Sequence, residues 1–256
     1  MRDFVRGDIA AAERGSEEAW QNSGAVSTEF ARHTYRVQRH AIMRMRGQTR
    51  ELEPIVREMM LTFPAVFGWT AAWGSIAWDL GQRDSARASL ARMMSLGTRQ
   101  IRGKPSGLAH CAALSELCSK VGDQAAAKEI YDVIIPFADY HGFTTVGGAT
   151  FGPLQRQLGS LAECLGQAQL AETHYRAALD ASTRMRSPVF VSGTSYAYAR
   201  LLLLSGDPKQ RGHAAELLSS AFQLAERYQL GSIGTIARRL ATRHGVSAER
   251  LASARG

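Results

Sequence analysis

Six glycines punctuate the chain, at positions 7, 47, 81, 122, 166 and 206, and the residues around them keep fixed offsets. The clearest unit runs from Leu158 to Leu179. Gly159 stands seven before the turn glycine Gly166 and Ala171 five after it, with Ala162, Tyr175 and Ala178 at helical spacing around them. Gly74, Ser115 and Ala199 repeat the first offset before Gly81, Gly122 and Gly206. Ala12, Ala86 and Ala127 repeat the second after Gly7, Gly81 and Gly122; Leu52 replaces it after Gly47, and after Gly206 it slips to Ala214 or Ala215. Small residues at such offsets let two antiparallel helices approach closely, while aromatic and Leu residues fill the remaining space. This punctuation constrains the chain to a row of helical hairpins. Alternating apolar–polar runs that would mark strands do not recur, so the fold class is read as all-α.

Taken in order, the first pair is lopsided. Almost nothing precedes Gly7-Asp8, where Asp8 is read as the N-cap of a helix from Ile9 to Gln21. The chain is therefore expected to start inside a repeat, as a piece of a longer array. The following pairs are read at 28–46 with 51–61, 66–80 with 84–94, and 106–121 with a second helix ending at Pro136 or Phe137. Then come the unit around Gly166 and a pair at 188–205 and 212–228. Phe63-Pro64 ends the second pair, because proline disfavours helix in the residue before it. Tyr140 to Gly152 reads as a glycine-rich loop, and 233–243 as a capping helix. Residues 1–243 are taken as one helical-repeat domain, and 244–256 as a basic tail expected to fray.

Composition narrows the setting. With 256 residues, 45% of them hydrophobic and 21% charged, the chain can bury a sizeable core. No apolar run reaches the roughly eighteen residues of a membrane span, and no apolar segment after Met1 marks a secretion signal. Three cysteines, Cys111, Cys118 and Cys164, do not suggest a disulfide framework and imply a reducing cytoplasm. The net charge of +8 is almost all arginine.

The offsets resemble those of the tetratricopeptide repeat. Each pair would carry an apolar stripe too wide for its own partner to cover, so neighbouring pairs would stack. The expectation is an α-solenoid of about six pairs, wound into a right-handed superhelix with the first helix of each pair lining a concave groove. Counted from the turn glycines, the groove positions are Arg44, Trp78, Glu116, Lys120, Arg156, Ser160, Tyr196 and Arg200. That surface is mixed and tilted towards basic, which suits an acidic or amphipathic peptide or a partner domain. Such a face holds no catalytic group and no cofactor; the function read from it is a non-catalytic interaction scaffold.

The whole chain also resembles the tetratricopeptide-like C-terminal region of large bacterial signal-transduction ATPases. Arg6-Gly7-Asp8-Ile9-Ala10-Ala11-Ala12-Glu13 is similar to that region's Arg-Gly-Asp turn. Glu51-Leu52-Glu53-Pro54 followed by Phe63-Pro64-Ala65-Val66-Phe67-Gly68-Trp69 is similar to its Glu-Leu-Glu-Pro … Tyr-Pro-Ala run. Ile135-Pro136-Phe137-Ala138 with Val146-Gly147-Gly148-Ala149 is similar to its Leu-Pro-Tyr-Ala … Val-Gly-Gly-Ala loop. The resemblance implies a regulatory module of proteins that carry, elsewhere, an ATPase with a cyclase domain or a LuxR-type or winged-helix DNA-binding domain. Those activities reside in domains this chain lacks; it has no Gly-x-x-x-x-Gly-Lys-Ser/Thr loop.

Other features carry a plainer reading beside the functional one. Arg32, Arg36 and Arg39 share a helix face, with Arg46 and Arg50 further on, and form a basic patch that could grip phosphates or an acidic segment. The alternative function is a nucleic-acid-binding regulator using these arginines with Arg238, Arg239 and Arg243, where Gly245-Val246-Ser247 invites comparison with a helix-turn-helix. The plainer readings are a solvated face and a capping helix. Val146 to Gly152 precedes a helix but lacks the lysine of a phosphate loop, and reads as a tight loop. His110 and the cysteines lack metal-ligand spacing and read as core. Trp69 and Trp73, four apart, read as core between repeats.

Overall fold

The structure is a computed structural model that describes residues 1–23, 29–104, 106–144, 148–247 and 251. Among these, the glycine punctuation produces six helical pairs. They are α1 (Arg2–Val5) with α2 (Ile9–Gln21), α3 (Glu29–Arg46) with α4 (Thr49–Thr62), and α5 (Phe67–Asp79) with α6 (Arg83–Ser95). A short α7 (Thr98–Arg102) intervenes, followed by α8 (Gly107–Val121) with α9 (Gln124–Ile134), α10 (Leu154–Cys164) with α11 (Ala168–Arg184), and α12 (Pro188–Ser205) with α13 (Arg211–Arg227). A last helix, α14 (Gly231–Arg243), follows. The chain is all-α but for one small hairpin. All six turn glycines have φ between +70° and +84°, a backbone that L side chains resist, which is why glycine ends the first helix of each pair. Asp8 and Asp123 cap the helices that follow, accepting from the amides of Ala11 (2.8 Å) and Ala126 (3.0 Å). The small residue seven before the turn serves close approach: a side-chain carbon at Gly159 would lie 2.6 Å from the Tyr175 ring of the returning helix.

Helix α5 is buried without a break from Trp69 to Ala77, so it has no polar face and must be central. It packs between α4, α6 and α8. From there the first helices stack in order, α8 on α10, α10 on α12 and α12 on α14. The stack does not stay open. Helix α14 also packs on α3, and α1 packs on α12. A separate apolar cluster forms where the two ends of the chain meet, joining Phe4, Ile9 and Ile42 to Val189, Phe190 and Leu230. Ser232 Oγ donates to the Met45 carbonyl at 3.2 Å. Gly231 faces the last turn of α3 so closely that a side-chain carbon there would sit 2.6 Å from the Arg46 carbonyl oxygen.

Three features depart from the expectation. Residues read as a plain loop form a two-stranded antiparallel hairpin, β1 (His141–Phe143) with β2 (Thr150–Pro153), irregular between Gly142 and Phe143. Its strands are too short for an alternating pattern to register, and they gain their place by lying on α8. Helix α7 stands between the third and fourth pairs, where no helix was expected. The tail does not simply fray: Leu251 is buried, and its carbonyl accepts from Ser219 Oγ at 3.0 Å on α13. Thr28, Val146, Gly147 and the remainder of the suggested tail helix lie outside the described residues.

The contact between the ends can be tested by substitution. Gly231→Val is expected to lower unfolding free energy by about 2–3 kcal/mol through its backbone clash. Gly81→Ala meets nothing within 4 Å and strains only its left-handed backbone, at about 1 kcal/mol. Urea titration of the two variants checks the order.

Candidate functional site

Two groups of polar side chains lie between the first helices of the pairs. The first joins α3, α5 and α8. Arg44 forms a close ion pair with Glu116. Lys120 lies 3.2 Å from the same carboxylate and 2.8 Å from that of Asp79. Lys120 is only 22% exposed, and burial, with Arg44 nearby, lowers its pKa to about 8 against the pull of Asp79. The second group joins α10, α11 and α12. Glu163 accepts from Arg200 Nη2 at 2.8 Å and from the Tyr175 hydroxyl at 3.0 Å, and that hydroxyl is 3.2 Å from Ser160 Oγ. Burial raises the pKa of Tyr196, and Arg200 beside it opposes the rise.

Arg156 stands between these groups and differs from both. It lies near enough to Arg44 to depress that guanidinium, on top of the effect of burial. Burial lowers Arg156 itself. No carboxylate lies within ion-pair distance of it among the described residues. The Tyr175 hydroxyl lies near enough to favour its charge, and the Gln157 amide satisfies both sides when its oxygen faces Arg156 at 3.1 Å and its nitrogen faces the Pro153 carbonyl at 2.8 Å.

Seven of the eight groove positions, Arg44, Glu116, Lys120, Arg156, Ser160, Tyr196 and Arg200, thus fall into these groups or beside them. Trp78 does not. It packs partly buried on the main core, and Arg83 covers its ring with a guanidinium 3.8 Å from the centroid. The basic patch is largely neutralised within the fold. Arg36 is 3.2 Å from Glu58, Arg39 and Arg46 both pair with Glu13, and Arg32 lies over the Phe63 ring at 5.8 Å. Arg50 is exposed. The shared face of Arg36 and Arg39 therefore holds α2 and α4 to α3, a role that α3 alone could not reveal.

The structure also gathers residues that the spacing argument did not group. A cavity of about 420 Å³ lies between α3, α5, α8 and the β-hairpin, lined mainly by apolar side chains. His33, His40, Trp69 and His110 form part of its wall. The Trp69 ring meets His33 and His40 edge to face, with centroids 5.9 and 5.8 Å apart. His33 Nε2, His40 Nε2, His110 Nδ1 and Trp69 Nε1 are shut off from solvent with no hydrogen-bond partner among the described residues. A polar group left so costs about 1–3 kcal/mol. Burial, with Arg44 next, lowers His40 to about 3; burial, with His33 next, lowers His110 to about 4. His174 shows the ordinary arrangement: Nδ1 meets Gln155 Oε1 at 2.7 Å and Nε2 meets the Tyr131 hydroxyl at 2.9 Å. The seven-residue spacing of His33 and His40, two helical turns, was the one signal in the sequence for a shared face.

The described residues contain no cluster of His, Cys, Asp and Glu able to hold a metal ion, and all three cysteines are free thiols. No described helix is long and apolar enough to cross a membrane. In comparisons with known proteins, the chain matches no protein-family model and no curated protein.

The buried imidazoles set a pH dependence. Their folded pKa values lie below the ordinary histidine value, so unfolding takes up protons once the pH falls below about 6.5. Stability is fully present above that pH. It is expected to fall below it, by up to about 1.4 kcal/mol per pH unit for each histidine, until the folded protein itself protonates. Urea unfolding between pH 7 and pH 4.5 checks this, with His40→Gln flattening the profile.

Proposed function

We propose that this chain is a non-catalytic binding scaffold: an α-solenoid of tetratricopeptide-like hairpins whose inner helices hold an acidic segment of a partner protein. Its right-handed winding belongs to this reading, with α14 on α3 drawing the coil into a short turn. The supporting observation is Arg156, the inner-helix cation with no carboxylate beside it, while Arg44, Lys120 and Arg200 are each paired. An Asp or Glu side chain entering there would gain a charge-assisted, two-pronged hydrogen bond in a site with little competing water. Ser160, one turn along α10, would offer a further polar contact. The resemblance to signalling ATPases gives such a scaffold a regulatory place in a longer chain, in the reducing cytoplasm that suits three free thiols. The nucleic-acid reading has less support, because Arg36, Arg39 and Arg46 already meet Glu58 and Glu13.

Fluorescence anisotropy with a labelled peptide of repeated Glu-Glu-Leu tests the assignment. Arg156→Glu is expected to weaken binding at least about tenfold, some 1.4 kcal/mol, with the circular dichroism spectrum unchanged. Equal binding by the variant would remove Arg156 from the site. Tighter, salt-steep binding of a labelled DNA duplex would favour the nucleic-acid reading instead.

A further inference from the structure

We propose that the cavity between α3, α5, α8 and the β-hairpin binds a small, uncharged, ring-bearing molecule that carries both a hydrogen-bond donor and an acceptor. Its volume, about 420 Å³, lies within the ~300–1,000 Å³ usual for small-molecule sites. The wall is what such sites require: mostly apolar side chains, here including Val37, Phe67 and Phe151, with a few converging polar groups. Those groups are His33, His40, His110 and Trp69. None of the three imidazoles makes a side-chain hydrogen bond to another described residue; one nitrogen of each ring is sealed, as is the indole nitrogen, which leaves the second nitrogen of each imidazole as the polar atom open to a ligand. A neutral imidazole nitrogen donates or accepts according to its tautomer. A ligand offering one group of each kind matches that set.

Charge on the ligand is disfavoured from two sides. Of the two cations in the wall, Arg44 is already held by Glu116, and Lys104 is exposed, so water serves its charge. Burial also keeps the imidazoles neutral, which marks surroundings that penalise charge of either sign. A ring is favoured because the wall presents aromatic edges and faces at fixed angles, Trp69 standing at 90° to His33 and 82° to His40. The cavity does not include Arg156, so this site and the acidic-segment site are separate.

Three compounds of similar size distinguish the possibilities: 4-hydroxyacetophenone, its apolar counterpart 4-ethyltoluene, and the anion 4-hydroxybenzoate. Ligand-observed NMR and calorimetry on the full chain are expected to show 4-hydroxyacetophenone binding, with each of the others at least about tenfold weaker. Ala113→Phe, which fills the cavity, should abolish that binding. Ala72→Leu is the second filling variant should the first lose its helical circular dichroism. His40→Leu should bring 4-hydroxyacetophenone down towards 4-ethyltoluene, and Arg156→Glu should change nothing. Equal binding of the two neutral compounds, preference for the benzoate, no binding in the millimolar range, or binding indifferent to both filling variants would each overturn the proposal.

Discussion

The structure depends on the apolar surface that a helical hairpin cannot cover by itself. Every pair here packs on a neighbour in sequence. The ends of the chain also use each other. Helix α1 lies on α12 and α14 on α3, so Phe4 and Ile42 share an apolar cluster with Phe190 and Leu230. The contact of α14 with α3 depends on Gly231, which has no side chain where it faces the backbone of α3. A repeat array normally needs polar capping faces at its ends. In this chain each end is capped by the other.

Packing helix on helix has an electrostatic consequence. Charged side chains caught between α3, α5, α8, α10 and α12 lose water, and most of them are met by partners. Glu116 and Glu163 serve as the two anchors, Glu116 for Arg44 and Lys120, Glu163 for Arg200 and the Tyr175 hydroxyl. Where no anchor is at hand the solutions differ. The histidines near Trp69 stay neutral, whereas Arg156, which cannot shed its proton under ordinary conditions, remains a cation. The paired groups maintain the fold, and the unmatched ones are where recognition has something to gain.

Much of this was legible in the chain itself. The turn glycines, the Asp8 cap and the boundaries of the longer helices are local matters, fixed by φ, by capping chemistry and by apolar spacing. Counting back from those glycines picked out Arg44, Glu116, Lys120, Ser160 and Arg200, which the fold brings into two polar groups, since a helix keeps its phase over a few turns. Trp78 escaped the count because Arg83, beyond the turn, folds back over its ring. The partners of the basic patch were not legible, because arginines on one helix reveal their spacing but not the carboxylates of Glu13 and Glu58 brought up from two other helices. The hairpin at 141–143 and 150–153 was missed because three or four residues are too few to display a period.

Sequence alone therefore determined the all-α class and the helical pairs with their turns, because these rest on interactions within about forty residues. Only the tertiary structure decided that α14 returns to α3, that Glu13 and Glu58 neutralise the arginine face, and that His33, His40, Trp69 and His110 meet around one cavity. Those outcomes come from pairing distant segments, and no local preference carries that information: it arises when surfaces left uncovered by one part of the chain are matched against those left by another.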